Sequence, residues 1–372
     1  MRIEPTTATT GSTPLACRDV FELFSTSFER LSDTFGDELT TYDFTFAGCP
    51  VRGRFLGAEL AGIFRTAFEP DPGGREPVLE ICLWDESADT GIDPRLRLAC
   101  GLDEHQLRSS VVTGISESGR YVCHMAESWL NFLDLEQPAV VGCVFDRSRL
   151  GLHERARPLE WPLRFWLRSI GRRVLHAALV SRDGAGVLIG GPAGAGKSTL
   201  SLACLDAGFD FLSDDKIALE AVAPGIFVGH RLYRSILASV DMLRHFPHLA
   251  PHADRLETDA LNKAILMASE LFPERIAASS RIEVLLLPQL DPQLTAPRLR
   301  PARRAAAMRR ILPNCLPLYP TWDGSDFGQL GDLLQAVPVH WLDIVGAPVQ
   351  LPPLVGSALD ASLARRSTTD QP

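Results

Sequence analysis

The first 150 positions carry short apolar patterns with the spacing of both helices and strands. Val20, Phe21, Phe24, Phe28, Leu31 and Phe35 recur at intervals near 3.6 residues, which predicts a helix that ends at Gly36. The simpler interpretation is that this aromatic face packs on its own domain, and the alternative is that it binds a partner.

Strands and turns are predicted for the rest of this region. Tyr42, Phe44 and Phe46 alternate as in a half-buried strand, residues 57–68 fit an amphipathic helix, and Pro and Gly over 70–77 mark a loop. Further strands are predicted at 79–83, 109–115, 120–126 and 139–145, with a hairpin turn at 117–119. The pattern describes an α+β module without a chemical motif of its own.

Beyond position 150 the pattern becomes that of alternating strands and helices, so a domain boundary is placed there. Strands are predicted at 174–181, 187–190, 209–212, 216–222, 282–287 and 337–344. Helices are predicted at 161–173, 198–207, 235–246, 261–271 and 353–364. A tight turn is expected at 182–186, and Gly208 is expected to end the helix before it in the left-handed conformation.

Composition narrows the class of protein. The 372 residues include 37 basic and 46 acidic side chains, a net charge of −9, and 45% are hydrophobic. These values exclude a wholly disordered chain and a basic protein that coats nucleic acid. The eight Cys form no C-x-x-C pair, so reduced thiols are expected rather than a zinc site or disulfides. Neither a secretory signal nor an apolar run of 18 residues is present, so a cytoplasmic protein without a membrane span is expected.

One segment carries a complete phosphate-binding motif, G-x-x-x-x-G-K-[ST]. It consists of Gly191, Pro192, Ala193, Gly194, Ala195, Gly196, Lys197, Ser198 and Thr199. Its glycines let backbone N–H groups point inward at the start of a helix, where they cradle phosphates. Lys197 is expected to reach the β- and γ-phosphates, and Ser198 to ligate Mg²⁺. The sequence therefore predicts binding of ATP or a related nucleotide with Mg²⁺.

An acidic pair follows the next predicted strand. Asp214 and Asp215 lie 17 and 18 residues after Lys197. If strand 209–212 runs parallel beside the strand that leads into the loop, its end opens on the phosphates. One carboxylate could then hold Mg²⁺ while the other takes the proton of an attacking hydroxyl. The alternative is an ordinary Ser-Asp-Asp turn.

Residues 174–222 resemble the HPr kinase/phosphorylase superfamily, and a weaker resemblance extends over 160–345. In that family a His stands on the first strand, a Gly-x-Gly-Val-Leu-like strand precedes the loop, and an acidic pair follows the next strand. The matching residues here are His176, Gly186-Val187-Leu188 and Asp214-Asp215. The resemblance implies that Asp214 is the general base, Asp215 its acidic neighbour near Mg²⁺, and His176 a group near the phosphates.

Two differences separate this chain from members that act on HPr. Those members carry Glu directly after the loop Ser, where Thr199 stands here, and their segment rich in Arg, Gly and Asn is reduced to residues 229–234. The differences argue against HPr as the acceptor and against the reverse phosphorolysis. The chain is more similar to divergent relatives with an N-terminal extension, some of which phosphorylate a serine near the C-terminus of lasso-peptide precursors.

Two further features are secondary candidates. Lys263 matches a lysine that follows the core in these relatives, although an exposed helix residue is the simpler interpretation. Six arginines cluster near the C-terminal third of the chain: Arg298, Arg300, Arg303, Arg304, Arg309 and Arg310. They could attract an acidic peptide or phosphates, but a solvated face is the simpler interpretation. No aromatic residues alternate with them, so nucleic acid is not expected.

Together these features predict an α/β protein of two domains. Residues 17–150 form an α+β accessory domain and residues 151–366 a P-loop kinase domain with a mixed sheet flanked by helices, with a disordered tail at 1–16 and a tail at 367–372. The predicted reaction is transfer of the γ-phosphoryl group of ATP to a serine of a peptide or protein. A small-molecule kinase and a nucleotide-binding regulator without catalysis are the alternatives, and the resemblance also allows a homo-oligomer.

Overall fold

The computed structural model describes residues 17–85, 112–116, 118–126, 128–145, 147–249, 263–318 and 323–369. The helices are α1 (Cys17–Thr34), α2 (Ala58–Ala67), α3 (Leu152–Ala156), α4 (Glu160–Ser169), α5 (Lys197–Asp206), α6 (Val240–Leu243), α7 (Ala268–Leu271), α8 (Arg304–Cys315), α9 (Gly324–Ala336) and α10 (Pro352–Thr369). The predicted tail 1–16 lies outside the described residues, and α10 continues through positions 367–369.

Strands β1 to β8 form the N-terminal sheet. They are β1 (Leu39–Phe46), β2 (Cys49–Leu56), β3 (Glu69–Pro70), β4 (Leu79–Asp85), β5 (Val112–Ile115), β6 (Tyr121–Met125), β7 (Trp129–Asp134) and β8 (Ala139–Val144). Their order in the sheet is β3-β1-β2-β4-β8-β7-β6-β5, with parallel pairing only at β2–β4 and β4–β8. The sequence did not predict β7, because its six residues are all buried and lack strand alternation.

Helices cover both faces of the N-terminal sheet. Along β4, Leu79, Ile81 and Leu83 belong to one core while Cys82 and Trp84 belong to another, because successive side chains of a strand point to opposite faces. Helix α2 packs on the first of these faces. Helix α1 packs on the second, where its phenylalanines contact Trp84 and Phe132. The predicted aromatic helix is confirmed, and its buried face docks on its own sheet.

A second, nine-stranded mixed sheet carries the phosphate motif. Its strands are β9 (Arg173–Leu175), β10 (Ala177–Arg182), β11 (Ala185–Gly190), β12 (Asp210–Ser213), β13 (Ile217–Ala223), β14 (Ile226–Arg231), β17 (Ser279–Leu290), β18 (Arg298–Pro301) and β19 (Val339–Ile344). The order begins β12-β10-β11-β17. The long strand β17 then pairs with β14 along its first residues and with β19 along its last. Strands β13 and β9 continue from β14, and β18 continues from β19.

The second sheet lies between two apolar layers. One face packs against α5 and α10 through residues such as Leu200, Val355 and Leu359. The other face packs against α8 and α9 through Ile311 and Leu333, in a core that also contains α4 and the inner face of the N-terminal sheet. One continuous hydrophobic core therefore connects the two sheets.

Five details of the predicted elements were wrong. The predicted helices at 235–246 and 261–271 are instead β15 (Ser235–Ser239) and β16 (Lys263–Met267), an antiparallel pair followed by the short helices α6 and α7; residues 261 and 262 lie outside the described part. The predicted strand 174–181 is interrupted at His176. The predicted helix 161–173 ends at Ser169, because Gly171 takes a positive φ of 83°. Strand β12 runs in the direction of β11 but is separated from it by β10.

Candidate active site

The phosphate loop joins β11 to α5 in the strand–loop–helix order that the sequence predicts. Gly194 and Gly196 take φ angles of 77° and 94°, a conformation that side-chain-bearing residues rarely adopt, and α5 begins directly afterwards at Lys197. The ammonium of Lys197 donates hydrogen bonds to the carbonyl oxygens of Gly191 at 3.0 Å and Pro192 at 3.2 Å. The loop is thus curled around its own lysine, whose pKa is lowered mainly by burial.

The acidic pair stands on a turn fixed by Ser213. The Ser213 hydroxyl accepts hydrogen bonds from the backbone N–H groups of Asp215 and Lys216 and donates to the Lys216 carbonyl oxygen at 2.7 Å. This is the Ser-Asp-Asp turn that was the alternative prediction, and it also places both carboxylates beside the loop helix. Turn formation and placement at the site are therefore compatible.

Asp214 is buried at the start of the loop helix. Its side chain is 2% exposed, and the hydroxyl of Ser198 is close enough to donate to it. Burial raises the pKa of Asp214 to about 6; Asp215 adds to this effect, while Arg157 and Ser198 oppose it. Its Oδ1 atom accepts no hydrogen bond from the described residues and lies 3.5 Å from Arg157. This carboxyl group can take up a proton close to neutral pH.

Asp215 has the opposite electrostatic surroundings. Burial would raise its pKa, but Arg157, Lys216 and His176 together lower it well below its usual range. Arg157 forms a hydrogen-bonded ion pair with Oδ2, Lys216 Nζ lies 3.3 Å from the same atom, and His176 Nε2 lies 3.2 Å from Oδ1. Asp215 therefore stays ionised, and it organises three cationic or donor groups around the site.

His176 reaches the acidic pair because the chain breaks its strand there. Strand β9 pairs with β13, whereas β10 pairs with β11 and β12, and His176 lies between the two segments. Burial lowers the pKa of His176 to about 4. The imidazole is consequently neutral at physiological pH, and with the proton on Nε2 it donates to Asp215.

A buried charge network, which the sequence reasoning missed, continues from Asp215. Lys216 Nζ lies 2.6 Å from Glu160 Oε1, and Arg164 forms an ion pair with the same carboxylate. Burial lowers the pKa of Lys216 to about 7. The available signals were the Glu160–Arg164 spacing of four residues within a helix and the Lys directly after the acidic pair.

Arg157 was also missed, and no local pattern marks it. It follows α3, is 4% exposed, and contacts both aspartates. Because it comes from the segment before the second sheet, only the tertiary structure brings it to the acidic pair.

The secondary candidates, Lys263 and the six arginines, lie at different places in the structure. Lys263 begins β16, and its charge contributes to the lowered pKa of Lys197. Arg298 and Arg300 pair with Asp343. Arg310 lies beside the loop: a Cβ added to Gly191 would stand 3.9 Å from its Nε, an atom without a hydrogen-bond partner in the described residues. Arg303, Arg304 and Arg309 are exposed.

The site offers oxygen ligands suited to Mg²⁺ rather than a dedicated cage. In the described part of the chain, no group of three or more His, Cys, Asp or Glu side chains is arranged to hold a metal ion. Mg²⁺ in nucleotide sites is commonly held by one or two protein oxygens together with phosphates. The Ser198 hydroxyl and the ionised carboxylate of Asp215, whose side chain is 22% exposed, fit that requirement.

Comparison with known proteins finds similarity to one enzyme family over a short part of the chain. Over 56 residues, 15% of this chain, the sequence is 39% identical to the HPr kinase/phosphorylases of Bordetella pertussis, Bordetella parapertussis and Bordetella bronchiseptica. The match spans 18% of the length of these curated relatives. No family model matches the chain. Within that short segment, the resemblance to an HPr-kinase-like family is confirmed.

A solved structure of the Hpr(Ser) kinase/phosphatase from Coxiella burnetii aligns with 52% of this chain and 99% of its own. The sequence identity is 18% and the TM-score is 0.30. None of the described helices is both long and apolar enough to span a membrane.

Proposed function

We propose that this protein is a cytoplasmic kinase that uses ATP and Mg²⁺ to phosphorylate a serine hydroxyl of a peptide or protein. The observation that carries the proposal is the position of Asp214. A carboxyl group with its pKa raised to about 6 lies beside Ser198 of a complete phosphate loop. This pairing supports a role for Asp214 as proton acceptor beside the expected γ-phosphoryl group.

The loop residues bind and orient the nucleotide in this proposal. The backbone N–H groups of residues 191–196 and the start of α5 receive the phosphates, and Lys197 turns from its carbonyl partners toward them. Mg²⁺, when bound, would supply positive charge that stabilises the transferring phosphoryl group. Ser198 and Asp215 would supply the protein oxygens for it, as the sequence predicts, and Asp214 is left to accept the proton.

The two aspartates of the acidic pair have different roles in this proposal. Asp214 accepts the proton of the acceptor hydroxyl at a carboxylate oxygen. Asp215, ionised and held by Arg157, Lys216 and His176, fixes the geometry of the pair. Neutral His176 acts through its hydrogen bond to Asp215 rather than as a cation at pH 7.

A transfer assay tests the proposal. The full chain is incubated with γ-labelled ATP, Mg²⁺, serine-containing peptides that include precursor peptides of ribosomally made products, and a mixture of hydroxyl metabolites. We expect label on a peptide serine. Label on a metabolite with unlabelled peptides would contradict the peptide acceptor, and nucleotide binding without any labelled acceptor would contradict the kinase.

A further inference from the structure

A cavity of about 490 Å³ lies between helix α2 of the N-terminal module and the two-stranded sheet of β15 and β16. Its size is in the range of small-molecule and side-chain binding sites. The walls come from α2, α3 and β16, and their apolar members include Gly62, Ile63, Leu152, Ala156, Ile265 and Met267. Glu59, Thr66 and Arg155 are the polar members. The lining selects an apolar group with polar atoms at its border.

One wall of the cavity is β16, a strand of the two-stranded sheet. Among the described strands, β16 pairs only with β15. Along β16 the side chains alternate: Ala264 and Leu266 are buried, whereas Lys263, Ile265 and Met267 are partly exposed. An extended peptide can pair with the edge of such a strand through its backbone, while every second side chain enters an adjoining pocket. A small metabolite would use only the cavity and not the edge.

Two of the three walls, α3 and β16, lead directly to the candidate active site. Ala156 lines the cavity, and the next residue, Arg157, contacts Asp214 and Asp215. On β16, Ile265 lies two residues after Lys263. Burial is the main cause of the lowered pKa of Lys197, the two aspartates oppose it, and the charge of Lys263 lowers it further. A ligand bound in the cavity and phosphates bound at the loop would therefore lie close together, because α3 and β16 lead from one to the other.

We propose that this cavity binds an apolar side chain of the peptide acceptor while the peptide backbone pairs with the edge of β16. The inference rests on the proposed peptide kinase function and adds a specificity pocket to it. Ile265 and Met267, which line the cavity, follow Lys263 by two and four positions on β16, so a peptide paired with this strand would carry the apolar residue roughly two to four positions from a serine held near Lys263.

A substitution at Gly62 can close the cavity without disturbing the core. A Cβ added at this position meets no atom within 4 Å, and the residue lies inside α2, where a larger residue favours the helix over Gly. Gly328 in α9 provides a matched control because it is exposed and has equally open surroundings. We therefore compare Gly62→Trp with Gly328→Trp, and use Gly62→Leu as a smaller block if melting curves show that the first variant is less stable.

The probe is a set of fluorescein-labelled peptides with a central Ser in a Gly background and one Leu or Asp at each flanking position. Binding is measured by fluorescence anisotropy. For the wild type and Gly328→Trp we expect Leu two to four positions from Ser to strengthen binding about tenfold or more over Asp, the effect of burying one such side chain. We expect Gly62→Trp to lose this preference.

The inference is overturned if no wild-type preference for Leu exists or if the Gly62 variants retain it. The same peptides are then assayed with labelled ATP. Leu-dependent binding without phosphate transfer would contradict the proposed kinase function and leave the binding pocket standing. Transfer that ignores both Leu and Gly62 would contradict the pocket and leave the kinase standing.

Discussion

The two halves of the candidate active site are held by different interactions. The phosphate loop is shaped by its backbone: three glycines with positive φ, a helix N-terminus, and a lysine that donates hydrogen bonds to carbonyl oxygens of the same loop. The acidic pair is shaped by buried charge from remote residues, above all Arg157. The features cited for the loop half therefore come from residues that are contiguous in the sequence. The carboxylate half requires the segment that connects the N-terminal module to the second sheet.

The largest expected effect concerns the loop half. Lys197→Met keeps most of the side-chain volume but removes the charge expected on the phosphates. We expect phosphoryl transfer to fall about a thousandfold or more, because this reaction depends on positioning and charge stabilisation. The measurement is a single-turnover assay with labelled ATP, accompanied by a circular dichroism spectrum. A rate within tenfold of the wild type would show that the loop is not a phosphate site.

Arg157 tests the carboxylate half. Arg157→Gln leaves Asp215 with one fewer counter-charge in a buried site, and we expect a loss of about 3 to 5 kcal/mol in stability. Arg157→Lys keeps the charge and should recover part of both stability and activity, though not the two-nitrogen contact. Denaturant unfolding and transfer rates measure these effects.

A merely structural Arg157 would leave the pH dependence of transfer unchanged in the folded variant. Because Arg157 lowers the pKa values of both aspartates, its replacement should move the activity midpoint to higher pH. An unchanged midpoint in folded Arg157→Gln would show that Arg157 does not set the pKa values of the acidic pair.

The wild-type pH profile tests the raised pKa of Asp214. A general base must be deprotonated, so activity should be lost as pH falls through about 6, roughly tenfold for each further unit. His176 does not produce this change, because its own lowered pKa, about 4, keeps it neutral on both sides of the transition. A profile that stays level from pH 7 to 5 would contradict Asp214 as the base.

The smallest expected effect concerns Arg310. Its Nε lies beside the loop without a hydrogen-bond partner among the described residues, so Arg310→Gln should weaken ATP binding by about threefold to tenfold. Arg309→Gln removes the same charge from an exposed neighbour and should leave binding unchanged. Equal behaviour of the two variants in titration calorimetry would show that Arg310 does not face the nucleotide.

The sequence predicts the loop half well because the motif, its strand and its helix are contiguous. Elements β11 and α5 lie within two residues of their predicted bounds at each end. His176 could be chosen only through the family resemblance, since an apolar strand with one His gives no sign of the break that turns it toward Asp215. The sequence did not predict site roles for Arg157, Glu160 and Lys216, because these residues meet the acidic pair only through contacts between distant segments.

The wrong helices at 235–246 and 261–271 show the same limit. Each segment has enough apolar residues for either structure, and short apolar runs do not distinguish a strand from a buried helix. Their backbones pair with each other, and Ile236 and Leu266 pack with Phe211 and Leu202 on the far side of α5. Tertiary pairing, which one segment alone does not encode, decided the outcome.

The most direct test of the central claim is to measure nucleotide affinity and phosphoryl transfer on the same preparations of the wild type and Asp214→Asn. The substitution keeps the shape of the side chain and removes its capacity to accept a proton. We predict an ATP dissociation constant within about threefold of the wild type and a transfer rate lower by about a hundredfold or more. A transfer rate close to that of the wild type, with intact binding, would contradict the account.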